Sequence, residues 1–391
     1  MSSSPLIPAS VSADPIALYV HWPFCVSKCP YCDFNSHVRD QVDADAWRDA
    51  LLADLRHEAD LTGGRPLSSI FFGGGTPSLM PPAIVAALIE AATVYWQPVS
   101  DLEITLEANP SSVEAARFAD LAAAGVNRVS LGLQALEDEA LHFLGRAHDV
   151  REGLTALDVA QSVFARVNFD LIYARPGQSE RGWRAELARG LSFGTDHLSL
   201  YQLTIEPGTR FATLVAQGKL VPADGDHAAT LYEQTQEMTM AAGIPAYEIS
   251  NHARPGQESR HNLTYWRYGD YAGIGPGAHG RRLGMATLRH KKPENWMNAI
   301  QRNGHGLQGE EALASQDRAR EALLMGLRLG EGVDLERIAA LSGLPVADLI
   351  DAKAVERLSG HGLVAKAGQA LRIEPAGMLL LDAILPEIVA V

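Results

Sequence analysis

All the thiols of the chain fall within one octapeptide, CVSKCPYC, as Cys25, Cys29 and Cys32, and the other 383 residues contain no cysteine. Three cysteines cannot all pair. The opening stretch MSSSPLIPASVSADP has neither the basic region nor the apolar run of a secretory signal, so a reducing compartment, the cytoplasm, is expected and a disulfide is a poor reading. A metal is better. Zinc in a structural site takes four protein ligands and would need His21 or His37 as the fourth. Soft thiolates suit an iron–sulfur cluster, and three of them on a [4Fe–4S] cube leave one iron open to a small molecule.

Such a loop needs a scaffold. Short β-branched and aromatic runs at 16–22, 68–73, 102–107, 127–133, 167–173 and 197–203 alternate with helical patterns. The segment 45–61 puts Trp47, Leu51 and Leu55 on one helical face, and Ser111 with Glu114 forms a capping-box signature ahead of Gly125. Alternation at this spacing predicts parallel β/α units with right-handed crossovers, hence an α/β fold whose six units could make a partial (β/α)6 barrel or an open sheet. In such folds chemistry sits beyond the C-terminal ends of the strands. The unusual residues recur there: the cysteine loop after the first strand, Gly73-Gly74-Gly75-Thr76 after the second, Glu107 to Pro110 after the third and Gln134 after the fourth, with Asp170 in the fifth.

The divisions expected are a flexible N-terminus over 1–15, the β/α core over 16–215 and a connecting region over 216–310. A mostly helical, winged-helix-like domain is expected over 311–391, with helices at 317–329, 334–343 and 346–362 and a hairpin at 363–375. With 33 Lys and Arg against 47 Asp and Glu, the formal charge is −14, and the tail from residue 316 is itself acidic. Nucleic acid is therefore not an expected partner, and the tail reads as a packing or docking module. No apolar run approaches the roughly 18 residues of a membrane span.

The stretches LYVHWPFCVSKCPYCDF and FFGGGTPS resemble the radical S-adenosylmethionine (SAM) superfamily, in the branch of oxygen-independent coproporphyrinogen III oxidase and its relatives. The resemblance implies that Cys25, Cys29 and Cys32 hold the cluster and that SAM chelates its open iron. It implies an electron donor, since one electron cleaves SAM to methionine and a 5′-deoxyadenosyl radical. It also implies a SAM site lined by Tyr19, Tyr31, Gly74, Gly75 and Thr76. Glu107, Gln134, Arg146 and Asp170 would be its polar contacts, the two carboxylates accepting from ribose hydroxyls.

Within that branch, Phe34 stands where the oxidases carry a further cysteine, and only 18 residues precede Tyr19, fewer than the oxidase arm. The motif His261-Asn262-x2-Tyr265-Trp266 and the stretch YQLTIEPGT are similar to the HemW haem chaperone family. This implies haem as cargo, acceptor haemoproteins as partners, and His261, Tyr265 and Trp266 as haem-binding candidates, with His252 and His279 nearby. Ala135 and Ala174-Arg175 depart from that family's commoner Ser and Gly-Leu. Two other readings stay open: a coproporphyrinogen III dehydrogenase that decarboxylates propionates oxidatively, and another radical SAM enzyme such as a methyltransferase.

Overall fold

The computed structural model describes residues 14–39 and 42–391; most of the N-terminal stretch expected to be flexible lies outside them. Six parallel strands follow one another across the main sheet: β1 (Ile16–Trp22), β2 (Pro66–Gly74), β3 (Gln97–Ala108), β4 (Arg128–Gln134), β5 (Arg166–Tyr173) and β6 (His197–Gln202). Each coincides with a sequence run, extended by a residue or more at half of the ends. Every β1 residue except Tyr19 is buried, as expected of a parallel strand covered on both faces.

The sheet does not end there. β7 (Asn251–Ala253) pairs antiparallel with β6, and β8 (Asp270–Ile274) pairs parallel with the far side of β1. β9 (His279–Arg282), β10 (Met285–Arg289) and β11 (Leu307–Ala312) complete an 11-stranded mixed, open sheet. The stretch read as a connection thus contributes most of these strands. It brings Gly275 to His279 to the same end of the sheet as the cysteine loop.

The helix Ala44–Thr62 is capped by Asp43, whose carboxylate accepts from the Ala46 N–H at 3.1 Å. Trp47, Leu51 and Leu55 are buried, as their spacing predicts, but so are Asp54 and Glu58. Glu58 pairs with Arg282 and, at 2.6 Å, with Arg289, while Asp54 accepts from the backbone N–H groups of Gly275 and Gly306 and from Trp296 Nε1. Two carboxylates buried without such partners would be prohibitive, so this network fastens the late strands against the first helix.

Beyond the sheet, helices Ser315–Gly326, Leu335–Ser342 and Ala352–Gly360 pack with strands Val333–Asp334, Val364–Ala367 and Ala370–Ile373 around a core of their own, in winged-helix order. The single helix expected over 346–362 is broken. Asp351 accepts from the N–H groups of Lys353 and Ala354 and starts a new helix there. A further helix, Leu381–Ile388, closes the domain. Among the described residues no helix is long and apolar enough to cross a membrane.

Candidate functional site

The cysteine loop leaves β1 and is pinned at both ends. Phe24–Cys25 pairs with His37–Val38, and the Cys32 N–H donates to the Cys29 carbonyl at 3.2 Å. The glycine run after β2 lies directly against it. Gly75 N donates to Trp22 O at 2.7 Å and Thr76 N to Phe24 O at 2.8 Å. A Cβ on Gly75 would lie 2.7 Å from Phe24 O and 3.0 Å from Cys25 Sγ, and Gly74 has φ +117°. The glycines therefore let strand and loop touch, a packing reason that accompanies close approach to a ligand.

All three thiols are free and partly buried. Thr76 Oγ1 lies 3.5 Å from Cys25 Sγ, and Arg146 Nη1 lies 3.5 Å from Cys29 Sγ. Burial raises the pKa of Cys25 and of Cys32, and charge on Cys29 raises both further. A bound cation reverses that order and deprotonates coordinating thiols. Among the described residues no three His, Cys, Asp or Glu side chains are drawn into a metal-binding group. His21, the first alternative zinc ligand, is already engaged: Nε2 donates to Asn35 O at 2.9 Å, so Nδ1 accepts from Tyr19 O–H at 3.0 Å. Burial lowers its pKa to about 4. Three soft, unpaired sulfurs in one loop are the donor set an iron–sulfur cluster takes.

Around the loop stand the other expected residues. Arg146 Nη2 donates to Asn109 Oδ1 at 2.5 Å and to Gly132 O at 3.1 Å. Burial opposes its charge, but Tyr31 and Cys29 outweigh that and hold its pKa above the usual value. Tyr31 is half-buried against Phe211. Gln134 ends β4 with φ +68°, beyond a register irregularity against β5, and its Oε1 is buried with no hydrogen-bond partner. The orphaned amide oxygen and the bulge re-aiming it are features of a ligand site.

Glu107 accepts from the Gly74 N–H at 3.2 Å. Burial, then the charge of Asp170, pushes its pKa up to about 8. Burial also raises Asp170, to about 6, against hydrogen bonds from Ser199, Asn168 and Ser130 that favour its charge. Asn168 Nδ2 donates to Asp170 Oδ1 at 3.0 Å and Ser130 Oγ at 3.3 Å. Two acceptors whose ionisation is this costly gain from hydroxyl donors brought by a ligand.

The haem-binding candidates divide. His261 is 1% exposed, with Nδ1 3.0 Å from Ser69 Oγ and Nε2 2.6 Å from the Tyr265 hydroxyl. Its ring stacks on Phe71 and Tyr19, and burial lowers its pKa to about 3. Both nitrogens are committed, so this histidine positions Tyr265 and Tyr19 rather than offering a free ligand atom. Tyr265 lines a cavity of about 610 Å³ together with Tyr19, Gly74 and Glu107. Trp266 faces the other way, under the Arg328 guanidinium at 4.8 Å and beside the C-terminal domain. His252 is fully buried.

Sequence reasoning missed several positioning residues. Asn109 links Arg146 to Thr76, with Nδ2 3.2 Å from Thr76 Oγ1. Glu114, read only as a helix cap, also accepts from Asn109 N at 2.8 Å and from Ser78. Asn35 Nδ2 donates to both Pro276 O and Lys291 O at 2.9 Å, tying the cysteine loop to a late segment. The run GIGPG was the available signal there: Gly277 has φ +81°, and a Cβ on it would lie 2.4 Å from Asn35 Nδ2.

The family profile described as Radical SAM superfamily matches residues 19–188, and that described as HemN C-terminal domain matches residues 313–380. The heme chaperone HemW of Escherichia coli (strain K12) is 36% identical over 96% of this chain and 98% of its own. Radical S-adenosyl methionine domain-containing protein 1, mitochondrial, of Bos taurus is 40% identical over 94% of this chain and 86% of its own. Among solved structures, coproporphyrinogen III oxidase (HemN) from Escherichia coli superposes with a TM-score of 0.80 at 26% identity, over 95% of this chain and 89% of that one.

Proposed function

We propose that this chain, which belongs to the family of the heme chaperone HemW within the radical SAM superfamily, binds haem and delivers it to acceptor haemoproteins. The observation that carries this reading is the near end-to-end identity with chains named heme chaperone, 36% against 26% for the oxidase of the same fold. Phe34 supports it, standing 57% exposed where the oxidases carry a further cysteine.

Membership of the superfamily brings SAM and a [4Fe–4S] cluster. When bound, that pair supplies one-electron cleavage of a sulfonium, driven by an external electron donor. The chain's own residues hold and orient it. Cys25, Cys29 and Cys32 are the thiolate ligands, and Thr76 and Arg146 direct donors at two of those sulfurs. Glu107 and Asp170 receive ribose hydroxyls, Gln134 Oε1 accepts a ligand N–H, and Tyr19 and Tyr31 wall the site. The backbone of Gly74, Gly75 and Thr76 lies alongside. Free thiols of this kind call for a reducing compartment, which the cytoplasm provides; the bovine and mouse relatives carry the description mitochondrial.

The test is a paired assay on anaerobically reconstituted protein. Haem is offered in one arm, and coproporphyrinogen III with SAM and a reductant in the other. A Soret shift without turnover is the expected result. Formation of protoporphyrinogen would overturn the chaperone reading in favour of the dehydrogenase.

A further inference from the structure

Both nitrogens of His261 are hydrogen-bonded, whereas the 610 Å³ cavity beside the cysteine loop offers a free imidazole. Its inner end is Tyr19, Gly74 and Glu107, which belong to the proposed SAM site. Its outer end is made by residues outside that site: Lys28 and His37 on the cysteine loop, His279 at the start of β9, and Lys291 after β10. Asn35 clamps these segments together through Pro276 O and Lys291 O. The volume falls in the range of roughly 300–1,000 Å³ typical of sites for cofactor-sized molecules.

The chemistry of the outer end is specific. The chain has only six lysines and a formal charge of −14, yet Lys28 and Lys291 both line this cavity and Lys292 adjoins it. Neither ammonium at the cavity has a carboxylate or hydrogen-bond partner among the described residues, and Asp33 is the opposing charge at the mouth. Glu107, its pKa near 8, keeps its proton at neutral pH. His279 is exposed, and its ring makes no hydrogen bond among the described residues. Burial, followed by the Lys291 charge, lowers its pKa, which keeps the imidazole in its neutral, metal-binding form. His37 Nε2 is buried and unpartnered, a second polar atom awaiting a ligand.

A cavity with the aromatic sides Tyr19, Phe34, Tyr265 and Tyr271, a free neutral imidazole and two unpaired cations matches an iron porphyrin bearing two carboxylates. We infer that haem sits at the outer end of this cavity, with His279 facing its iron and Lys28 and Lys291 pairing with its propionates. This rests on the haem-binding reading. It adds that cargo and SAM occupy adjoining ends of one cavity.

The experiment is a titration of cluster-reconstituted protein with haemin and with haemin dimethyl ester, read by the Soret band. The wild type should show an imidazole-ligated spectrum. His279→Ala should lose that signature with iron and sulfide content unchanged, and added free imidazole should restore it. Lys28→Ala with Lys291→Ala should weaken haemin about fivefold to tenfold while leaving the ester unaffected. If His279→Ala keeps the wild-type spectrum and affinity, or His37→Ala alone abolishes the signature, the assignment is overturned while haem binding stands. An equal loss for haemin and its ester in the lysine variant also overturns it. If the wild type takes up no haem, the chaperone reading falls with it.

Discussion

Replacing Glu107 by Gln tests the electrostatics of the proposed SAM site without touching the cysteines. In the fold the carboxyl ionises near pH 8 because burial and Asp170 oppose its charge, against 4.5 for an ordinary glutamate. A carboxyl whose folded value is raised keeps its proton in the fold while the unfolded chain has lost it. The unfolded state therefore binds fewer protons, and stability falls as pH rises from about 4.5 to about 8. At about 1.4 kcal/mol for each pH unit the full difference approaches 5 kcal/mol; water in the cavity it lines lowers this to about 3 kcal/mol. Gln carries no charge at any pH. The variant should match the wild type to within a constant offset at pH 5 and gain about 3 kcal/mol on it by pH 8. Urea denaturation of the SAM-free protein at pH 5, 6, 7 and 8 measures the gap. A gap that stays flat across this range refutes the assigned protonation. SAM offering hydroxyl donors favours the ionised form, so its binding at pH 7 should release a proton in the wild type and none in the variant.

Arg289→Ala leaves buried Asp54 without a cation and Glu58 with Arg282 alone and should cost about 3–5 kcal/mol in urea denaturation; a loss under 1 kcal/mol would mean the network is dispensable. Leu283 and Gly284 form the two-residue turn joining β9 to β10, with φ +52° and +74°, and Leu283 is 53% exposed. Asn suits that conformation, so Leu283→Asn should raise stability by about 0.5–1 kcal/mol, and an unchanged or lower urea midpoint would contradict this. His261→Ala removes a buried ring between Phe71, Tyr19 and Tyr265 and should cost about 2–4 kcal/mol while leaving the ligation spectrum of bound haem intact. Loss of the imidazole signature in that variant would return the ligand role to His261.

The strand positions were legible because each parallel strand is a short apolar, β-branched run closed by polar residues. The cysteine loop was legible because thiols are scarce and their spacing is specific. What escaped the sequence was long-range. β8 takes its place beside β1 from more than 250 residues away, which no local pattern announces. Nothing local marks Asp54 and Glu58 for burial, since their partners Arg282, Arg289 and Trp296 come from late in the chain. The motif resemblance made His261 a haem-binding candidate, and no local pattern announced how deeply Phe71, Tyr19 and Tyr265 would bury it. Two departures from the family pattern acquire reasons. Ala135 is buried with Leu141, Leu144 and Phe211 where a hydroxyl would lack water. Arg175 takes the place of Leu by pairing with buried Glu186 at 2.6 Å; Ala174 before it holds φ +54°, a conformation easier for Gly.

The central claim is that Cys25, Cys29 and Cys32 hold a cluster with one iron left for SAM. Mössbauer and EPR spectroscopy of anaerobically reconstituted protein, with and without SAM, addresses it directly. The account predicts four irons and four sulfides for each chain, a spectrum in which one iron changes when SAM is added, and loss of the cluster in Cys29→Ala. Stoichiometric zinc in place of iron, or a cluster indifferent to SAM and retained in Cys29→Ala, would contradict it.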